Sequence, residues 1–269
     1  FLCHYCGHSG RLRESCPECG GKLKFLAAGT EKAEEELGAL FPEAGILRMD
    51  ADTVQRAGSH RKILDRFRDE RVPFLIGTQM VTKGLDFENV TLVGVLSADS
   101  TLYAGDYRAR ERTFSLITQV VGRSGRGKKA GRAVIQTYTP ENEVIGLAAR
   151  QDYSGFYERE ISLRRVMEAP PIRDLISVTV SGMDEAQVLH GCVEVMGALR
   201  HYFSGGGEKI LGPSPAGIAK VNNRYRYRLM ICCENTKRVR DTVAHVIKEF
   251  SNDRKYRGLA AFADADPME

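Results

Sequence analysis

The sequence has no apolar run near 18 residues, so no membrane-spanning helix is expected. It has no large excess of one charge. The formal net charge is +4 over 269 residues, so any contact with nucleic acid must come from local basic clusters. It has no even complement of cysteines. Seven are present, four of them in two CxxC pairs, which argues against a complete disulfide framework and for a reducing, intracellular setting. Internal repeats and extended low-complexity segments are lacking. So is an initiator Met, and the opening "FLCHYCGHSG" is broken by cysteine and charge too early to be a signal peptide; the expectation is a fragment cut inside a domain.

What is present describes a globular chain long enough for two domains: 28% charged and 42% hydrophobic residues. Residues 1–21 are rich in Cys and Gly and poor in core residues. Beyond them, helical and strand patterns alternate. Thr30 is placed to cap a helix through "EKAEEELGALF", with Glu31 in its first turn. "GILRMD" and "GRAVIQTY" read as strands and "VPFLIGT" as a buried one. "VTLVGVLSAD" reads as a longer strand, apolar enough to be covered on both faces. "HRKILDRF" carries Ile63, Leu64 and Phe67 at helical spacing. "RARERTFSLITQVV" suits a helix with Phe114, Ile117 and Val121 on one side. The alternation implies an α/β domain with a parallel sheet and helices on both faces. A helical stretch from about Glu141 to Ala169 stops at Pro170 and Pro171, where a domain boundary is expected.

After the boundary come the strand "LISVTVSG", the helix "DEAQVLHGCVEVMGALRHYF", the loop "SGGGE", two strands around "NN", the helix "TKRVRDTVAHVIKEF" and the strand "LAAFADAD". That order, βαββαβ, points to a small ferredoxin-like α/β domain. Val239, Val243, Val246 and Ile247 share a helical face suited to a core. Cys192, Cys232 and Cys233 sit in apolar patterns and read as core residues. In "KVNNRYRYRLMI", Asn222 and Asn223 suit a turn, and the strand that follows sets Arg224, Arg226 and Arg228 on one face and Tyr225 and Tyr227 on the other. Two readings stand: an amphipathic strand with tyrosines inward and arginines solvated, or an arginine stripe that contacts DNA phosphates.

Cys3–Cys6 and Cys16–Cys19 form CxxC–x9–CxxC, with Gly7 and Gly20 easing the turn after each pair. Thiolates two residues apart can ligate one tetrahedral ion, so these four cysteines are the expected zinc ligands; a redox pair or a local disulfide is the blander reading. Residues 1–24 are therefore expected to be part of a zinc-binding module.

The most pointed stretch is "QVVGRSGRGKK", which sets Arg123 and Arg126 among Gly122, Gly125 and Gly127. Guanidiniums suit phosphate oxygens, and glycine permits close approach. Gly122–Lys128 fits GxxxxGK, yet it is no P-loop. Lys129 stands where Ser or Thr would hold Mg²⁺, and the stretch follows a helix and precedes a strand. Asp99 ends a strand pattern, as the Mg²⁺-binding acid of an ATPase does, but lacks the neighbouring acid. The chain thus offers arginines for a phosphate and no cradle. The economical reading is an arginine finger reaching nucleotide held by another lobe, against helix C-terminal capping as the alternative.

These residues carry a resemblance. "QVVGRSGR" resembles motif VI of superfamily 2 helicases. Residues 77–100, "GTQMVTKGLDFENVTLVGVLSADS", resemble motif V with its following strand, and "GTEKAEEEL" resembles the opening of the motif IV region. With "LCHYCG", "CPECG" and "DADPME", the match extends over nearly the whole chain to one family, the bacterial primosomal replication-restart helicases. The resemblance implies part of a zinc module (1–24), a RecA-like helicase lobe 2 (25–169) and a C-terminal α/β domain (170–269). It implies that Arg126, with Arg123 beside it, meets the γ-phosphate of ATP bound with Mg²⁺ by a first lobe upstream. Gln119 would position the γ-phosphate or the attacking water. Gly84 and Asp86 would couple nucleotide state to DNA grip, and Thr78, Gln79 and Lys83 would follow the single strand. Leu85 departs from a His common in the family. The family interleaves its cysteine pairs around two zinc ions, so the two pairs here would serve different ions; the chain then holds one shared zinc, or none in native geometry. The resemblance further implies an ATP-dependent 3′–5′ DNA helicase, inactive as an ATPase without the upstream lobe, cytoplasmic and nucleoid-associated. Its partners would be forked and single-stranded DNA, single-stranded DNA-binding protein and other primosome proteins. The rival expectation is a non-catalytic zinc and DNA-binding module that docks primosome partners.

Overall fold

The computed structural model describes residues 15, 29–50, 53, 59–78, 90–122 and 131–267. Two compact units emerge. One contains Ser15–Ala104 and Arg108–Glu158; the other contains Gly105–Tyr107 and Arg159–Glu269.

In the first unit, helices and parallel strands alternate as the sequence pattern requires: α1 (Thr30–Leu40), β1 (Ile46–Met49), α2 (Ser59–Asp69), β2 (Phe74–Gly77), β3 (Leu92–Val95), α3 (Asp99–Leu102), α4 (Ala109–Val121), β4 (Arg132–Ile135) and α5 (Glu143–Ala149). Among the described residues the strands form two parallel pairs, β1–β2 and β3–β4, instead of one continuous sheet. β2 is half-buried, not buried. β3 is four residues long and alternates exposed with half-buried positions, so the expected long strand covered on both faces is not formed.

The core lies where α4 meets α5 and the start of α6 (Tyr153–Met167). Phe114 and Ile117 from α4, Val144, Leu147 and Ala148 from α5, and Phe156 from α6 are buried together. Phe114 stacks on Phe156 with ring centroids 4.2 Å apart. Removing side chains of this size from water contributes roughly 1.5–3 kcal/mol each. The predicted helical stretch 141–169 is broken into α5 and α6 because Gln151 adopts φ 57°. Asn142 starts α5 by accepting from the Val144 amide (3.0 Å). Asp152 restarts the chain as α6 by accepting from the Gly155 amide (2.9 Å).

The second unit continues with β5 (Asp174–Gly182), α7 (Glu185–Tyr202), β6 (Lys209–Val221), β7 (Arg224–Cys233), α8 (Lys237–Asn252) and β8 (Ala260–Ala265). The four strands are antiparallel in the order β6-β7-β5-β8, which is the ferredoxin-like arrangement the βαββαβ order predicts. Asp184 and Thr236 cap α7 and α8 by accepting from the amides of Gln187 and Val239. Both helices pack on one face of the sheet, burying Val188, Val195 and Leu199 of α7 and Val239, Val243 and Val246 of α8 against Val178, Val180, Leu229 and Ile231. Asn222 (φ 48°) and Asn223 (φ 63°) turn β6 into β7 in the left-handed region, as expected of asparagine.

Candidate phosphate and nucleic-acid interface

α4 carries Gln119, one of the predicted site residues. Its buried stripe of Thr113, Phe114, Ile117 and Val120 fixes the rotation of the helix, which leaves Gln119 exposed on the opposite side. The helix ends at Val121, and the Gly122 amide closes the last turn on the Thr118 carbonyl at 2.9 Å. Gln151 Nε2 donates to the same carbonyl at 3.4 Å. A Cβ on Gly122 would lie 3.1 Å from that Nε2 and 3.2 Å from the Thr118 oxygen, so the space beside it is tight. Arg123 and Arg126 follow directly in sequence and lie outside the described residues, as do Gln79, Lys83, Gly84 and Asp86.

Thr78 is described and exposed. It follows Gly77, the last residue of β2, whose register partner is Met49 at the end of β1. The carboxyl ends of parallel strands are where α/β folds bind ligands. Beside Met49 the chain builds a fixed polar turn that sequence reasoning missed. Asp50 is buried and accepts from Thr30 Oγ1 at 2.6 Å and from the Thr53 amide at 3.0 Å; the Arg48 guanidinium lies 3.1 Å away. These partners, the Thr30 hydroxyl first, hold the Asp50 carboxyl below its ordinary range. Thr30 is therefore not the cap of α1. It is the first residue of that helix, and its hydroxyl ties the helix start to the end of β1. The signal was "DADT": Asp50 and Thr53, three residues apart, each take the other's backbone amide, the reciprocal pattern of a capping box.

Asp99 is engaged by hydrogen bonds within the fold. It is buried and accepts from Thr137 Oγ1 (3.0 Å), the Tyr138 amide (3.0 Å) and Thr139 Oγ1 (3.2 Å), which pins the chain leaving β3 to the chain leaving β4. Cys3, Cys6, Cys16 and Cys19 lie outside the described residues. Among the described residues, no group of three or more His, Cys, Asp or Glu side chains is placed to hold a metal ion, and no helix is long and apolar enough to cross a membrane. Cys192, Cys232 and Cys233 are buried free thiols. Burial pushes Cys192 up to about 12 and Cys233 up to about 11.

In the second unit, Tyr225 and Tyr227 pack against the core on the helix-covered face, and Tyr227 Oη donates to Glu185 at 2.9 Å. The intervening arginines therefore occupy the other face of β7. Arg226 pairs in register with Ser181, and Arg228 with Thr179, both buried residues of the central strand β5. Arg224 Nη2 donates to the carbonyls of Ser181 (3.0 Å) and Gly258 (3.2 Å). It ties the hairpin to β5 and to the turn before β8, as well as carrying charge.

Comparison with known proteins finds two family models along the chain. Residues 17–128 match the family model of the helicase conserved C-terminal domain, and residues 165–268 match that of the primosomal protein N C-terminal domain. The chain is 41% identical over 266 residues to replication restart protein PriA of Bacillus subtilis, covering 98% of this chain and 33% of that protein. It is 42% identical over 230 residues to the Synechocystis protein of the same name, covering 85% of this chain and 28% of the relative. The Thermotoga maritima protein is 35% identical over 265 residues, covering 98% and 34%. The chain thus spans about a third of the length of the curated relatives it matches.

Proposed function

Because the chain belongs to the PriA family of replication restart proteins and corresponds to its C-terminal region, we propose that it completes the motor of an ATP-dependent 3′–5′ DNA helicase that remodels stalled forks and promotes primosome assembly. The observation that carries this reading is the geometry of α4. A rotationally fixed helix exposes Gln119 in its last turn and ends against Gly122, immediately before two arginines. Motor action needs charge placed where the γ-phosphate develops negative charge, and a guanidinium on a rigid element supplies it.

In this proposal Arg126 and Arg123 reach the γ-phosphate of ATP–Mg²⁺ held by an upstream lobe, and Gln119 orients the γ-phosphate or the attacking water. Gly84 and Asp86 relay nucleotide state to DNA. Thr78, at the carboxyl edge of β1–β2, joins Gln79 and Lys83 along the single-strand backbone. Arg224 and Arg226 add phosphate contacts from the C-terminal sheet. Cys3, Cys6, Cys16 and Cys19 supply thiolates for zinc, the two pairs sharing one ion or each serving a different ion. Forked and single-stranded DNA, single-stranded DNA-binding protein and other primosome proteins are the proposed partners, in a cytoplasmic, nucleoid-associated setting.

The test is DNA-stimulated ATP hydrolysis by this chain mixed with the upstream portion of the protein. Arg126→Ala is expected to lower turnover by about 10³-fold or more, the usual cost of losing an arginine finger. Unchanged turnover in the variant, with the portions shown to associate, would instead favour a non-catalytic DNA-binding and docking module.

A further inference from the structure

The C-terminal sheet has two unlike faces. Ile176, Val178 and Val180 of β5 meet α7 and α8 in the core. Alternation along the strand turns Ser177, Thr179 and Ser181 to the face away from both helices. These three are only 6%, 4% and 8% exposed, yet their side chains make no hydrogen bond among the described residues. Buried polar groups ordinarily have partners, so a row of unpartnered hydroxyls is a floor that a polar ligand can satisfy.

The two sides of that floor differ. In register, Thr179 pairs with Arg228 of β7 on one side and with Phe262 of β8 on the other. Ser181 pairs with Arg226 and Ala260, and Ser177 with Met230 and Asp264. Neighbouring strands lie about 4.8 Å apart, so the arginine strand and the Phe262 strand flank the hydroxyls at a separation of about 10 Å. Arg226 and Arg228 are half-buried. Phe262 is 45% exposed and belongs to neither hydrophobic cluster, although Ala261 beside it packs on the core. Its ring is left with a π face open to an incoming ring. Charge is graded along the row. The two arginines flank the Ser181 and Thr179 end, and Asp264 stands at the Ser177 end, so an anionic group is favoured at the first and repelled at the second.

Single-stranded nucleic acid has the chemistry that fits both sides. Its phosphates suit guanidiniums and hydroxyls, and its unpaired bases present flat faces to an aromatic ring. A duplex offers the same phosphates, but its bases are already stacked on one another. We propose that Phe262 is a base-stacking residue, and that this face binds a single strand with one base on Phe262 and the adjoining phosphates over Thr179, Ser181 and Arg226. This rests on the phosphate role given above to Arg224 and Arg226. It adds the group that separates single strands from duplex: the arginines hold either, and the ring holds only an unpaired base.

The test is equilibrium binding of the 269-residue chain to oligothymidylate and to a blunt duplex of equal length. Phe262→Ala should weaken single-strand binding by about 10-fold, the usual scale for loss of one stacked base. It should leave duplex affinity, the salt slope and Tm unchanged. Phe262→Tyr should bind as wild type does, and Phe262→Leu, which is apolar without a π face, should resemble Phe262→Ala. The chain contains no tryptophan, so Phe262→Trp places a single reporter on this face; its emission should be quenched by oligothymidylate and not by the duplex. Wild-type single-strand affinity in Phe262→Ala with unquenched emission in Phe262→Trp overturns the proposal. So does an equal loss for duplex, or full affinity in Phe262→Leu. Arg226→Ala should weaken both ligands and reduce the salt slope by about one. If it does so while Phe262→Ala is neutral, the phosphate reading survives and the stacking role falls. If both variants are neutral, the two fall together.

Discussion

Three aspartates with similar sequence surroundings turn out to do different work. Asp50 and Asp99 each come after a strand and are buried, and both accept from hydroxyls and amides of the same unit. Asp266 accepts from a tyrosine far away in sequence. The sequence pattern set Asp50 and Asp266 at the ends of strands but did not predict partners, because a hydrogen bond depends on where another segment arrives. The cysteines were more legible, since an apolar pattern around a thiol is itself the cause of burial. Their chemistry gives a pH prediction. An unfolded thiol titrates near about 8.5, whereas folding raises Cys192 to about 12 and Cys233 to about 11. The folded state holds these protons after the unfolded state has lost them. Their contribution is therefore complete below about 8.5 and declines as pH rises toward the folded values. The urea midpoint should fall between pH 8 and pH 10.5, and Cys192→Ala should flatten that dependence; identical slopes in both proteins would contradict the assignment.

Elements were legible where one face is buried. The spacing of Phe114 and Ile117 predicted the core side of α4, and the structure adds Thr113 and Val120 to it. Ile117 is 1% exposed. Ile117→Ala should cost about 2–5 kcal/mol of unfolding free energy, since a large-to-small change in a closed core loses both transfer energy and packing. A denaturant titration checks it, and a loss below about 1 kcal/mol would place Ile117 outside the core. The β3 pattern misled for a physical reason: an apolar run reports that a segment can be covered, not that a neighbour arrives to cover it. On β7 the alternation was read correctly and left two meanings, because period two divides the faces without saying what the outer face meets. If the arginines contact DNA phosphates, Arg226→Ala combined with Arg224→Ala should weaken DNA affinity and shallow its salt dependence by about one to two phosphate contacts. Intact affinity and slope would make the stripe a surface that only shields Thr179 and Ser181. Because Arg224 also clamps two carbonyls, Arg226→Ala alone is the cleaner control.

At the scale of the molecule, the division into two units follows from two different hydrophobic logics. The first unit pairs short parallel strands through intervening helices. The second closes four antiparallel strands on two helices. The ferredoxin-like order could be read from the succession of elements alone. The bond from Tyr107 to Asp266 could not, because nothing in "AGDYRAR" indicates that the segment belongs with the C-terminal unit. The functional account depends on a division of labour, in which this chain supplies the γ-phosphate arginines and an upstream lobe supplies the nucleotide cradle. The most direct test is steady-state ATP hydrolysis, with saturating single-stranded DNA, by this chain alone and after adding the upstream portion. The account predicts no turnover above background for the chain alone and DNA-dependent turnover once both portions are present. Hydrolysis by the chain alone, abolished by Arg126→Ala, would contradict it and place a complete nucleotide site within these 269 residues.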